Sequence, residues 1–141
     1  MKHLLAPLLA ATTLVMTGAA SAHGPATSAG DETVVVDFER AIPNIPGKSL
    51  VAVEVTYPPG GASSAHTHAN SAFIYAHVVS GQIESKVNDE PARVYQAGES
   101  FYETPGSHHG ISRNASKTEP AKLLAVFVVD TGEVELTTPT K

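Results

Sequence analysis

Gly60-Gly61-Ala62-Ser63-Ser64-Ala65-His66-Thr67-His68 follows the turn residues Tyr57-Pro58-Pro59 and ends in two histidines one residue apart. On an extended strand, residues i and i+2 share a face. The His66 and His68 side chains therefore stand side by side, their Cα atoms about 6.5–7 Å apart. Two imidazoles so placed can converge on one metal ion. A third nitrogen from elsewhere would complete a facial set with positions open for water or substrate. The competing reading is a pair of exposed loop histidines, or a pair hydrogen-bonded to backbone.

Outward from this stretch the chain alternates short strand signals with turn chemistry, and no long amphipathic helix is legible. Thr33 to Phe38 is β-branched and apolar, and two prolines make Ile42 to Gly47 a loop. Val51, Val53, Val55 and Tyr57 alternate with smaller or polar residues, the mark of a half-buried strand. Phe73 to Val79 is continuously apolar and ends at Ser80-Gly81; Gln82 to Val87 alternates; Arg93 to Tyr95, Ser100 to Glu103, Gly110 to Ser112 and Leu123 to Val129 supply further strands. The polar residues 131–141 are expected to form a loose C-terminal tail. Many short strands joined by Gly and Pro turns give an all-β chain, an antiparallel sandwich or barrel.

Residues 1–22 have the pattern of a signal peptide: the basic start Met1-Lys2-His3, a mostly apolar run to Met16 interrupted by Pro7, and Ala20-Ser21-Ala22 as a small-x-small cleavage site. The expectation is export, to the periplasm or as a secreted protein, with no membrane attachment after signal removal. Residues 23–32, rich in Gly, Pro, Ala, Ser and Thr, read as a flexible linker. Without cysteine, no disulfide, thiolate chemistry or Cys-based metal site is available. Beyond residue 22 there are eight Lys and Arg against fourteen Asp and Glu, a net charge of −6 with neutral histidines. The eight bases stand singly, which excludes the clustered positive surface that nucleic acids or anionic membranes require.

The first stretch, the strand ending at Gly81, and the run Gly98-Glu99-Ser100-Phe101-Tyr102-Glu103-Thr104-Pro105-Gly106-Ser107-His108-His109 together resemble the two motifs of the cupin superfamily. The likeness spans Gly60 to Asn114. It implies a cupin domain over residues 33–130 with a double-stranded β-helix, or jelly-roll barrel. Carried over position by position, His66 and His68 match the family's histidine pair and His109 its third histidine, with His108 on the opposite face of the strand. The family's glutamate is missing from the first motif, because its position falls on Ile74 or Phe73, neither of which can bind a metal. The register of that strand then decides His77. With Phe73 at the ligand position His77 faces the site, and with Ile74 there it faces out. Glu84 and Glu103 read more simply as solvated strand residues.

The resemblance implies one divalent transition metal (Fe, Mn, Zn, Ni or Cu) held by His66, His68 and His109, with His77 as a fourth group in one of the two registers. Phe73, Tyr75, Phe101, Tyr102 and Phe127 are candidates to line a pocket for a small-molecule substrate, or else core. The implied activity is dioxygenase-like oxygenation, or isomerisation, of a small organic molecule. The other reading is a non-catalytic module that binds a metal or small ligand for sensing or storage. A homodimer through the Thr33–Phe38 edge is expected. Protons compete with metal for imidazole, so affinity is expected to fall as pH drops through about 6.5. A metal titration giving the same affinity at acid and neutral pH would count against histidine ligation.

Overall fold

A computed structural model describes residues 32–141. The expected signal peptide, and the expected linker apart from Glu32, lie outside the described residues. Ten strands in chain order make up the fold: β1 (Thr33–Ala41), β2 (Lys48–Tyr57), β3 (His66–His68), β4 (Phe73–Ser80), β5 (Gln82–Val87), β6 (Arg93–Gln96), β7 (Ser100–Glu103), β8 (His108–Asn114), β9 (Ala121–Asp130) and β10 (Thr137–Pro139). They form two five-stranded antiparallel sheets, β1-β2-β9-β4-β7 and β10-β3-β8-β5-β6. No helix long and apolar enough to cross a membrane occurs among the described residues.

The first sheet carries most of the apolar core, because its long strands alternate cleanly. Val51, Val53, Leu123, Phe127 and Val129 point inward from the β2–β9 ladder, and Ile74, Ala76 and Val78 from β4. Ile74, Val78 and Ile83 are completely buried, each contributing about 1.5–3 kcal/mol relative to exposure. The second sheet is shorter and turns polar groups inward: His68, Ser85, His109, Ser112 and Asn114 are all buried. The barrel interior is thus apolar on one wall and rich in hydrogen-bonding groups on the other.

One detail decides between alternatives that the sequence left open, and another corrects the sequence reading. Ile74, at 0% exposure, takes the inward position on β4 and sets the register, so Phe73, Tyr75 and His77 face outward. Phe73 and Tyr75 are exposed, and so is Tyr102 on the adjoining β7. The tail expected to be loose instead supplies β10. Thr137 pairs with His68, Thr138 with Thr67 and Pro139 with His66, and Leu136 packs on the core. The strand is short and polar, so neither length nor alternation announces it.

A β-bulge sets the face of β8. Val87 of β5 opposes His109 and Lys86 opposes Ile111, so Gly110 is the extra residue. The bulge shifts parity by one, which puts His109 on the same inner face as Ser112 and Asn114. Asn114 begins an Asn-Ala-Ser sequence of the glycosylation type, but its side-chain amide is buried and donates to the carbonyls of Pro58 and Glu119. It ties loops together from within.

The chain passes from β4 in one sheet to β5 in the other with only Gly81 between them. Its φ is +72°, and a Cβ there would lie 2.5 Å from the Pro120 carbonyl oxygen and 2.8 Å from Ala121. Strained backbone and a clash with main chain combine at one corner. Gly81→Ala is therefore expected to destabilise the domain by on the order of 3 kcal/mol, read by chemical denaturation. A loss below about 1 kcal/mol would show that the corner relaxes at little cost.

Candidate metal centre

β3 and β8 lie antiparallel with His66 opposite His109 and Thr67 opposite His108. Directly opposed residues share a face, so His66 and His109 meet inside the barrel while His108 turns out, exposed, toward Thr140. His68 joins them by strand alternation. The ring centroids are 4.7 Å apart for His66–His68, 5.3 Å for His66–His109 and 6.0 Å for His68–His109. One ring nitrogen from each of the three lies within 4.8 Å of the others. His68 and His109 are 6% and 3% exposed, and His66 is half-buried at the rim.

The far side of each ring is held. His66 Nδ1 lies 2.8 Å from the Ser64 carbonyl, and His68 Nδ1 lies 3.3 Å from the Leu136 carbonyl. A carbonyl oxygen only accepts, so each Nδ1 carries a proton and donates it. In the neutral imidazole the Nε2 lone pair is then left facing inward, as in the outer hydrogen bonds that orient metal-ligating histidines. His109 is held through Nε2, 2.8 Å from the Ser85 hydroxyl, and presents Nδ1 inward. The Leu136 contact explains why β10 matters to the site: the C-terminal segment fixes the tautomer of His68.

Glu103, read from sequence as a solvated strand residue, is 3% exposed and belongs to this cluster. It projects from β7 of the first sheet toward histidines of the second. Its Oε2 lies 3.1 Å from His68 Nε2 and its Oε1 3.2 Å from His109 Nδ1. Neither His68 Nε2 nor Glu103 Oε2 has a hydrogen-bond partner among the described residues. Burial pushes the Glu103 carboxyl up, whereas the imidazoles of His109 and His68, in the protonation states in which they donate to it, bring its pKa down to about 2. Burial is also the main influence at His66, whose pKa falls to about 4 against the raising effect of the Ser64 carbonyl. The donor set is thus a carboxylate and three imidazoles with outer nitrogens already engaged. Two buried polar atoms within it lack partners, which fits a divalent cation.

His77 is not part of the cluster. Its Nδ1 lies 2.9 Å from the Ser100 hydroxyl on the outer face, and its ring stacks on Tyr75. Of the five aromatic residues expected to line a pocket, Phe127 does so, packing edge-on against His68. Phe101 packs against Tyr95 and edge-on to His109. Phe73, Tyr75 and Tyr102 lie outside the barrel, because the Ile74 register sends them there.

The cluster opens onto a cavity of about 480 Å³. Its apolar walls include Val53, Val55, Leu123 and Ala125. One polar wall is a hydrogen-bonded group that the sequence reading missed. The Tyr57 hydroxyl lies 2.7 Å from that of Ser63 and 2.8 Å from that of Ser112, and Ser63 also donates to Glu32. Burial, the largest influence on each, raises the Glu32 carboxyl and pushes the Tyr57 phenol up to about 12. Tyr57 carried a signal, as the last inward position of an alternating strand. Glu32 carried none, lying in a segment of linker composition.

Comparison with known proteins agrees with this architecture. No curated protein matches the chain by sequence. Among solved structures, an uncharacterised double-stranded β-helix protein from Klebsiella pneumoniae superposes with a TM-score of 0.62 at 20% identity, over 82% of this chain and 89% of that one. A variant oxalate decarboxylase from B. subtilis gives 0.63 at 20% identity, over 85% and 31%. A cupin domain from Schizosaccharomyces pombe gives 0.58 at 19%, over 71% and 62%. The chain thus spans less than two thirds of the last two. The Cupin domain family model matches residues 53–127, more than half of the sequence, from within β2 to within β9, a stretch that carries His66, His68, Glu103 and His109. On that match, and on two antiparallel sheets closed into a jelly roll around a histidine cluster, the chain belongs to the cupin family.

Proposed function

We propose that this cupin binds one divalent transition metal through His66, His68 and His109 and acts as a metal-dependent oxygenase or isomerase of a small organic molecule. One observation carries the reading: three imidazoles converge at the cavity with their outer nitrogens engaged by Ser64, Leu136 and Ser85. When bound, the metal would act as a Lewis acid and, if redox-active, would support chemistry with O₂.

The chain's own groups supply the rest. Val53, Val55, Leu123 and Ala125 give the cavity an apolar body that excludes water around a bound molecule. The Tyr57, Ser63 and Ser112 hydroxyls offer hydrogen bonds that would orient a polar group on it. Glu32 holds its proton more readily than an exposed carboxyl because burial disfavours its charge. On the cavity wall it is one carboxyl that could give or take a proton. That favours an enzyme over the other reading, a sensing or storage module that only binds metal or ligand. Among the structural neighbours, the oxalate decarboxylase shows that a catalytic protein is compatible with this fold.

Elemental analysis of the purified protein, followed by O₂ uptake with thiols, diketones and phenolics, separates the two readings. Turnover with one substrate class supports the enzyme, whereas a bound redox-active metal with no turnover favours the module. The double variant His66→Ala/His68→Ala is expected to lose metal uptake by at least about a hundredfold while keeping its all-β circular dichroism. Uptake within threefold of the parent would rule out the site.

The proposal extends to export, with cleavage after Ala22, and to pairing of two copies through β1. This strand ends the first sheet and leaves Phe38 exposed on an edge that is otherwise a liability. Protein recovered from the periplasm or medium is expected to begin at His23 by mass spectrometry and to sediment as a dimer. An uncleaved chain, or a monomer at all concentrations, would contradict the respective half.

A further inference from the structure

Resting on the metal site just proposed, we infer that Glu103 is an anionic fourth ligand of that centre, supplied by β7 from directly across the β4–β7 ladder. The usual carboxylate position of the resemblance falls on Ile74, which is buried and apolar. Ile74 and Glu103 are Cα partners in the ladder. A carboxylate at either position of such a pair projects from the same face of the sheet into the same part of the interior.

The contacts themselves carry the assignment. His68 donates its Nδ1 proton to the Leu136 carbonyl, so in the neutral ring its Nε2 meets Glu103 Oε2 lone pair to lone pair at 3.1 Å. His109 Nδ1 meets the other carboxylate oxygen at 3.2 Å. The His68 contact, at a carboxylate 3% exposed, needs a positive charge between its two unpartnered atoms. No lysine or arginine is among the residues that line the cavity. A proton could satisfy the His68 contact, since the Ser85 hydroxyl can donate to His109 Nε2 and leave His109 Nδ1 to donate to Glu103; a metal ion would instead engage all of these inward atoms at once. The spacing suits a cation as well. Ligand atoms about 2.1 Å from a common ion stand about 3.0 Å apart at a right angle and about 3.4 Å apart in a tetrahedron. The two observed separations lie between those limits.

A consequence follows for the chemistry. Three neutral imidazoles would leave a divalent ion its full double charge, whereas an ionised Glu103 reduces the net charge of the centre to +1. The ion then attracts an anionic substrate less strongly, and its remaining positions suit neutral donors better than a three-histidine centre would.

The test uses Zn²⁺ as probe with the full mature chain. Glu103→Gln keeps the side-chain volume and removes the charge, and the thermal melt of the metal-free form checks that it folds. Wild type is expected to take up one Zn²⁺ by chelator competition. Its zinc-minus-apo infrared difference spectrum should contain a shifted carboxylate stretch. Glu103→Gln should bind Zn²⁺ at least about a hundredfold more weakly and lose that band. Should Gln fail to fold, Glu103→Asp is read instead, with the band retained at a changed frequency and a smaller loss of affinity. Zinc binding by Glu103→Gln within threefold of wild type, or a wild-type spectrum without the carboxylate band, would overturn the inference while leaving the three-histidine site intact. Failure of wild type itself to bind Zn²⁺, or any other divalent metal, would instead overturn the site as a whole.

Discussion

The contact on which the arrangement depends is the meeting of one carboxylate with two imidazoles across the barrel. Glu103 comes from the edge of the first sheet, and His68 and His109 come from the middle of the second. All three are buried, and burying ionisable groups is costly unless they satisfy one another or a shared ion. The rest of the fold supplies that satisfaction at fixed positions. The outer ring nitrogens are engaged by Ser85 and by the Leu136 carbonyl, and the apolar wall of β2 and β9 keeps water from competing. The sheets are therefore held together by polar convergence at this end and by aliphatic packing elsewhere.

Strand parity is what makes the convergence possible, and it is used in three different ways. On β3 simple alternation puts His66 and His68 on one face. On β8 the extra residue Gly110 resets the alternation, so that His109 shares the interior with Ser112 and Asn114. On β4 the inward series Ile74, Ala76, Val78 excludes His77, which bonds to Ser100 outside. A one-residue slip in any of these would send a histidine or the core to solvent. The corner at Gly81 guards the register where the chain changes sheets, since its positive φ and the Pro120 carbonyl leave no room for a side chain.

How much of this was legible in the sequence follows from where alternation is informative. β2 reads directly, because its valines alternate with smaller or polar residues. His66, His68 and His109 were legible through the spacing of two motifs, and the structure brings those three together. β4 was ambiguous because both of its faces are apolar: Phe73, Tyr75 and Val79 on one side, Ile74, Ala76 and Val78 on the other. Bulk pointed the wrong way, since the larger aromatic residues are the exposed ones. Glu103 was missed for a related reason. In Ser100-Phe101-Tyr102-Glu103 each face carries one aromatic and one polar residue, so composition assigns neither. The available signal was that Phe101 and Glu103 share parity: once Phe101 packs inward against Tyr95 and His109, Glu103 must follow. β10 gave no signal at all, because two threonines and a proline become a strand only when β3 offers a partner edge.

That last dependence links the C-terminus to the chemistry. β10 adds to the free edge of β3, and the same approach brings the Leu136 carbonyl to His68 Nδ1 and Leu136 itself onto the core. Without it, β3 would be a three-residue edge strand paired on one side only, too short to hold two imidazoles in fixed orientation. The proton on His68 could then sit on either ring nitrogen. With it in place, the inward nitrogen is committed as an acceptor before any ligand arrives, and the cost of ordering the site is met during folding rather than during binding. The geometry of the centre is therefore a property of the closed barrel, and the last strand of the chain completes it.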